Sequence, residues 1–157
     1  MPPSEGETAP EFEALLCDGE TFRPTTLTDE LDADGGVLVF FGFTFSAIAE
    51  NWWKRYQRAR WQEFAVPVLG VCRDGPYAQN EFLRQNDLPF DLFADVDATA
   101  IDAYDLREER DGMGPTTTAR RAVYVLDGDR TVQYRWLGED WISPVPRDEI
   151  EATVAEL

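Results

Sequence analysis

Few side chains in this sequence could carry out covalent chemistry. The only thiols are Cys17 and Cys72, and the chain contains no histidine. The lack of imidazole excludes Ser-His-Asp and Cys-His catalysis and every metal site with a histidine ligand. The two cysteines are far apart and form no Cys-x-x-Cys motif, so neither a zinc ribbon nor a thioredoxin-type dithiol is expected. By default such cysteines are small buried hydrophobic residues.

Motifs for larger cofactors are also missing from the sequence. There is no phosphate-binding glycine-rich loop, no flavin signature and no cluster of metal-ligating residues. The sequence therefore predicts a protein with no cofactor and no bound metal.

The charge balance makes nucleic-acid and membrane partners unfavourable. The 157 residues include 31 acidic and 14 basic side chains, which gives a formal net charge of −17. A surface this negative repels phosphate backbones and anionic lipid headgroups. No apolar run is long enough to span a bilayer, and the N-terminus lacks the features of a signal peptide. We expect a cytoplasmic protein that binds neither nucleic acid nor membrane.

The acidic residues are spread over the whole chain instead of forming one tail. Lys54 is the only lysine, beside thirteen arginines. Distributed acidity with little lysine is typical of proteins from salt-accumulating (halophilic) organisms, in which high salt screens the repulsion between like charges. This composition predicts a fold that is less stable at low salt, which melting temperatures in dilute buffer and in molar salt would test.

The length and the hydrophobic pattern indicate one α/β domain over residues 1–157. An N-terminal hairpin is predicted over residues 10–23. Buried strands are predicted at 37–41 and 66–71, and further strands at 92–94, 122–126 and 131–137. Helices are predicted at 27–31, 47–64, 77–86, 98–104 and 147–157, and residues 107–118 are interpreted as a solvated connection. This order is that of a thioredoxin-like fold with a mixed sheet.

Four stretches of the sequence resemble the peroxiredoxins, the alkyl hydroperoxide reductase and thiol-specific antioxidant (AhpC/TSA) family. They are GETAPEF at 6–12 with the turn at 18–19, VLGVCRD at 68–74 with YA at 77–78, NDLPFDL at 86–92, and RAVYVLD at 121–127. A single stretch would be weak evidence, but four in the family's order cover nearly the whole chain. The resemblance implies a thioredoxin-like fold, thiol-dependent peroxide reduction without a cofactor, and a homodimer.

The resemblance also locates the family's active site, a turn between strand and helix with the pattern Pro-x-x-x-Thr/Ser-x-x-Cys. In this alignment Gly42 stands at the proline, Ser46 at the hydroxyl residue and Ala49 at the peroxidatic cysteine. Trp52 stands where the family often has an acid, and Arg121 matches the family's arginine. The hydroxyl and the guanidinium are therefore kept, whereas the thiol is replaced by a methyl group. Because three positions depart from the pattern, a natural loss is favoured over a single engineered exchange.

Each retained residue also has a plain structural interpretation. Ser46 could serve only as a helix N-cap, and Arg121 could pair with one of the many carboxylates. Cys72 follows a buried strand next to the predicted active-site turn, so it is either a structural residue or a relocated nucleophile. Cys17, beside a turn, is expected to be more exposed and away from the site.

The tryptophans of the first long helix have two interpretations. Because neighbouring helix positions differ by about 100°, Trp52, Trp53 and Trp61 are not all expected to face inward. They are interpreted as core and dimer contacts, or as the lining of an apolar pocket at the former active site.

Three functions remain open, and with them whether the chain is an enzyme. It could be a peroxiredoxin relative without peroxidase activity that keeps its site for a small molecule or a protein partner. It could be a thiol-dependent oxidoreductase that uses Cys72. It could also be a structural partner protein that is recognised through its acidic surface.

Overall fold

A computed structural model describes all residues, Met1–Leu157, and the apolar strand β3 (Gly36–Phe40) is an interior strand of its sheet. Every residue of β3 is buried, as expected for a strand covered on both faces. Strands β4 (Val68–Cys72) and β5 (Asp91–Ala94) lie parallel to it. These parallel strands end at the same edge of the sheet, where α/β proteins hold their ligands.

Four antiparallel strands complete a seven-stranded mixed sheet. β1 (Glu13–Cys17) and β2 (Phe22–Thr26) form the predicted N-terminal hairpin, and β1 pairs with β5. On the other side β8 (Ala122–Leu126) pairs with β3 and with β9 (Val132–Leu137). The strand order is β2-β1-β5-β4-β3-β8-β9, so the predicted mixed sheet is confirmed.

Five helices pack on the two faces of the sheet. They are α1 (Leu27–Glu30), α2 (Ala47–Arg58), α3 (Pro76–Gln85), α4 (Thr99–Ala103) and α5 (Arg147–Ala155). Helices α2, α3 and α5 contribute to one hydrophobic core, and α1 and α4 contribute to the other. No helix has the length and apolar character needed to cross a membrane.

Helix α2 is shorter than the sequence predicts, and this changes the position of its tryptophans. The helix ends at Arg58, Arg60 adopts a left-handed conformation, and a short 3-10 turn (Trp61–Glu63) follows. Trp52, Trp53 and Trp61 are all buried, so the expectation that they could not all face inward is wrong. The chain reversal after α2 turns Trp61 back into the core, where its ring stacks on Tyr56 with 4.2 Å between centroids.

Strand pairing corrects two further expectations, one about residues 107–118 and one about Cys17. Residues 107–118 are not an unstructured connection, because they contain a hairpin of β6 (Arg107–Glu109) and β7 (Thr117–Ala119). Cys17 is fully buried, since β1 lies between β2 and β5 and is not an edge strand.

Candidate functional site

The site begins where β3 ends and the chain turns into α2. Gly42 follows the strand, and Ser46 is the N-cap of the helix, as predicted: its hydroxyl oxygen accepts from the backbone N–H of Ala49 at 3.3 Å. Ala49 is 5% exposed. Its methyl group therefore lies at the buried start of the helix, where the resemblance implies a peroxidatic thiol.

A network of hydrogen bonds holds this turn from the side of β4. The Asp74 carboxylate oxygen Oδ2 accepts from both the backbone N–H and the hydroxyl of Thr44, each at 2.7 Å. The carbonyl of Gly42 accepts from the Thr118 hydroxyl at 2.6 Å and from the Cys72 thiol at 3.4 Å. The turn is therefore fixed by donors and acceptors from β4 and the β6–β7 hairpin.

Cys72, the last residue of β4, reaches the turn as predicted, but its surroundings oppose nucleophilic chemistry. The residue is fully buried, and its Sγ also lies 3.5 Å from the Asp74 carboxylate. Burial, followed by the negative charge of Asp74, raises the pKa of the Cys72 thiol well above its ordinary value. A thiol rather than a thiolate is the state these surroundings favour.

Cys17 is in a similar chemical state on β1, two strands away from β4. Burial and the charges of Asp18 and Asp91 raise the pKa of its thiol to about 12. Neither cysteine is in the electropositive, accessible setting that lowers a thiol pKa.

Arg121 enters the site at the start of β8, and it is buried with only 6% of its surface exposed. Its Nη1 donates to the backbone carbonyls of Ser143 at 2.8 Å and Asp140 at 3.4 Å, whereas its Nη2 is buried without a partner. It forms no ion pair with any carboxylate, contrary to the plain interpretation of this residue. Desolvation lowers the pKa of the guanidinium, which nevertheless stays charged at ordinary pH.

The neighbouring arginine lies outside the site. Arg120 donates from Nε to the carbonyl of Gly138 at 2.7 Å. The backbone geometry of β8 therefore decides which of the two adjacent arginines enters the site, in agreement with the alignment that selects Arg121.

Arg121 and Ala49 line the same small cavity between α2 and the sheet. Its volume is about 20 Å³, enough for one water molecule or an ion of similar size. Apart from Arg121 and Gly42 the lining is hydrophobic, and it includes Trp52, Trp53 and Trp136. The hypothesis that the helix tryptophans line an apolar pocket is thus confirmed for Trp52 and Trp53.

A second pair of side chains covers the turn from outside. The guanidinium carbon of Arg110 lies 3.3 Å from the ring centroid of Trp141 and 5.3 Å from that of Phe43. A β-carbon at Gly42 would lie 3.1 Å from Cζ3 of Trp141. A side chain at position 42 would therefore require the Trp141 ring to move by a few tenths of an ångström.

Sequence reasoning missed Arg110, Trp136 and Trp141. Two of them lie in segments interpreted as connections, and Trp136 was placed only in a strand. The period-two alternation of β9 contained one usable signal, because Tyr134 and Trp136 share a face with each other. The structure contains no group of three or more Cys, Asp or Glu side chains arranged to hold a metal ion.

The sheet order, the N-terminal hairpin, the capped helix after β3 and the buried arginine at β8 together define a peroxiredoxin-like architecture within the thioredoxin-like folds. A family model, the AhpC/TSA family, matches residues 6–135. The chain therefore belongs to the AhpC/TSA family, and the family resemblance found in its sequence is confirmed. No curated protein matches the sequence.

Several solved structures are similar to this fold over almost its full length. Reduced 2-Cys peroxiredoxin from Plasmodium vivax has a TM-score of 0.79 at 18% identity, covering 97% of this chain and 95% of that one. Peroxidoxin BcpB from Mycobacterium tuberculosis has a TM-score of 0.77 at 21% identity, covering 98% and 97%. AhpC from Mycobacterium tuberculosis has a TM-score of 0.76 at 19% identity, covering 99% and 93%. At these identities the likeness concerns the fold.

Proposed function

We propose that this AhpC/TSA-family protein has no peroxidase activity and uses the cavity between Ala49 and Arg121 to bind a small ligand. The ligand carries a negative charge or a strong hydrogen-bond acceptor. The observation that supports this most directly is that Arg121, whose Nη2 is buried without a partner, lines the same cavity as the Ala49 methyl group.

The loss of chemistry follows from what a peroxidase needs. Peroxide reduction by a thiol requires a thiolate that attacks one peroxide oxygen while the other leaves. Ala49 has no nucleophilic atom, and residues 42–48 supply no thiol. The guanidinium and the helix N-terminus, which would stabilise the thiolate, remain without the group on which they would act.

The alternative function, in which Cys72 is a relocated nucleophile, is disfavoured by its surroundings. Its thiol is fully buried, donates to the Gly42 carbonyl and lies beside the Asp74 carboxylate. Negative charge next to a buried sulfur raises the energy of a thiolate, so the reactive form is rare at neutral pH.

The test combines peroxide consumption with the masses of the intact protein in molar salt. Limiting hydrogen peroxide and a sulfenic-acid trap are expected to leave both thiols unmodified and the peroxide unconsumed. Rapid, stoichiometric labelling of Cys72, abolished in Cys72→Ser but kept in Cys17→Ser, would instead establish the alternative.

A gain-of-function variant tests how far the site has changed. In Ala49→Cys the new thiol stands at the helix start beside Arg121, but the turn still lacks the proline, and Trp52 still replaces the acid. We expect the thiol to be oxidised without rapid turnover of peroxide. Fast turnover by this single variant would show that only the thiol had been lost.

We further propose that the protein is a homodimer located in the cytoplasm, with high salt as its natural solvent. The net charge of −17 supports high salt as the solvent, because two such negative surfaces can associate only when salt screens their repulsion. The molar mass by light scattering in molar salt tests the dimer, and a monomer at all concentrations would contradict it.

A further inference from the structure

Only half of the Arg121 guanidinium is satisfied by the protein. Nη1 donates to two backbone carbonyls, whereas Nη2 has no hydrogen-bond partner. A buried charged donor without an acceptor costs more free energy than a neutral one, because it has lost water and gained nothing. Nη2 would therefore be stabilised by a hydrogen-bond acceptor, and the protein itself provides none.

The charge of Arg121 is also not balanced by its neighbours. The nearby Asp140 carboxylate accepts from the backbone N–H groups of Ile142 and Ser143, at 2.9 and 2.7 Å. The rings of Trp136 and Trp52 lie 5.3 and 5.9 Å from the guanidinium carbon, which stabilises a cation only in part. Although the chain has 31 acidic residues, none of their carboxylates forms an ion pair with this cation, and the nearby Asp140 acts on it only at longer range.

The start of α2 adds positive potential at the same cavity. Ile48 and Ala49, from the first turn of this 12-residue helix, line the cavity together with Arg121. The Ala49 N–H donates to the Ser46 hydroxyl, but the dipole of the helix is still positive at this end. Two independent features, the helix start and the unpartnered guanidinium, therefore favour a negative charge between them.

The size of the cavity restricts which anion can enter. A volume of about 20 Å³ holds one water-sized particle. A carboxylate, sulfate or phosphate is larger and needs several hydrogen-bond donors, whereas Arg121 and the Tyr56 hydroxyl are the main polar side-chain groups of this otherwise apolar lining. A monatomic, weakly hydrated anion needs few donors and tolerates aromatic neighbours, whose ring edges are positive.

We propose that the cavity between Arg121, Ala49 and Trp52 binds a single halide ion, chloride under ordinary conditions, as the counterion of Arg121. This inference rests on the proposed function and specifies its ligand. The ion takes the role that a thiolate would have beside the guanidinium, so the family's charge balance is kept without the cysteine.

The experiment compares sodium chloride with sodium gluconate at equal ionic strength. Both salts screen the acidic surface, but gluconate is too large for the cavity. We expect chloride and bromide to raise the melting temperature saturably, by about 3–6 °C at 1 M, because a ligand that binds only the native state stabilises it. The line width of the ³⁵Cl NMR signal reports binding directly and is expected to increase with the protein present.

Variants assign the effect to the site. Arg121→Met removes the charge at similar length and is expected to abolish both the halide-specific melting shift and the line broadening. Arg121→Lys keeps the charge but replaces the planar guanidinium by a single ammonium group. It is expected to retain a weaker shift of the melting temperature, and it replaces the methionine variant in the test if that variant does not fold. Arg120→Met is the matched control, since the adjacent arginine lies outside the cavity, and it is expected to keep the full shift.

The remaining outcomes separate this inference from the proposed function. A shift produced by formate or sulfate through Arg121, but not by chloride, would overturn the halide and leave the proposed binding function in place. Equal melting in chloride and gluconate, no line broadening and no response to other small anions would overturn both. Halide effects of equal size in the wild type and in Arg121→Met would overturn the assignment to this cavity.

Discussion

Cys72 and Arg121 are two buried polar groups close to the same turn, and they are satisfied to different degrees. The Cys72 thiol has acceptors at the Gly42 carbonyl and the Asp74 carboxylate. Arg121 has acceptors for Nη1 but none for Nη2, and it borders a cavity. The first group is part of the scaffold, whereas the second keeps the unused donor on which the proposed ligand site rests.

The comparison shows that burial and residue type alone do not identify a functional group. By residue type Cys72 is the better candidate, since thiols carry the chemistry of this family. By environment it is the poorer one, because burial and a carboxylate keep it protonated. What distinguishes Arg121 is a donor nitrogen without a partner, in a side chain that also lines a cavity.

The largest expected effect concerns the accessibility of the Cys72 thiol. In native protein at pH 8 and molar salt, we expect maleimide to label Cys72 and Cys17 more than ~10³-fold more slowly than in denaturant, because labelling must await opening of the sheet. Labelling followed by mass spectrometry measures both rates. Fast native labelling of Cys72 alone would break the contrast with Arg121.

The next effect tests the scaffold around Cys72. Asp74→Ala removes the acceptor of two Thr44 donors, and leaving them unpaired is expected to lower the free energy of unfolding by about 2–4 kcal/mol. Urea unfolding in molar salt measures it. Asp97→Ala, at an exposed position, removes the same charge and is expected to change stability by less than about 0.5 kcal/mol. Equal effects would show that Asp74 acts only through its charge.

A smaller effect is expected in the pH dependence of stability. The pKa of Cys72 is raised above its ordinary value of 9.0 in the folded state, so above that pH the unfolded chain releases a proton that the native state keeps. Native stability therefore falls as pH rises above about 9, with Cys72 contributing up to about 1.4 kcal/mol per pH unit. Cys72→Ser is expected to flatten the curve by this amount, and parallel curves would contradict the raised pKa.

The smallest effect is expected for Arg121 itself in chloride-free gluconate. Arg121→Met replaces a half-satisfied buried charge by an apolar side chain, which is expected to leave stability within about 1 kcal/mol or to raise it. Arg130→Met is the control, since Arg130 donates to the Ala9 carbonyl and the Thr28 hydroxyl at 3.0 and 2.9 Å, and it is expected to lose about 1–3 kcal/mol. A larger loss at Arg121 than at Arg130 would assign Arg121 to the scaffold instead.

Much of the fold could be predicted from local pattern. The apolar runs that became β3, β4 and β8 are continuous and bounded by turn residues, so each is recognisable within its own segment. Ser46 was identifiable as an N-cap because capping involves residues only three positions apart. The positions of Ala49 and Arg121 followed from the family resemblance, which is carried by the same local stretches.

The errors concern residues whose surroundings come from distant parts of the chain. The end of α2 was placed too late, because the left-handed Arg60 has no strong local signal. The β6–β7 hairpin was taken for a solvated connection, since its charged strand gives no hydrophobic alternation. For the same reason the sequence does not predict that Arg110 and Trp141 pack together beside the turn at Gly42.

The sequence by itself determined which chemistry is possible, because the presence of a thiol or an imidazole is a matter of composition. It excluded histidine chemistry, gave an alanine at position 49, where the family resemblance implies a thiol, and set a strongly negative charge. Only the tertiary structure decided that Cys72 is enclosed by acceptors and that Arg121 faces a cavity without a counterion. Hydrogen-bond satisfaction depends on the positions of atoms from distant segments, and these are set when β3, β4, β8 and α2 pack together.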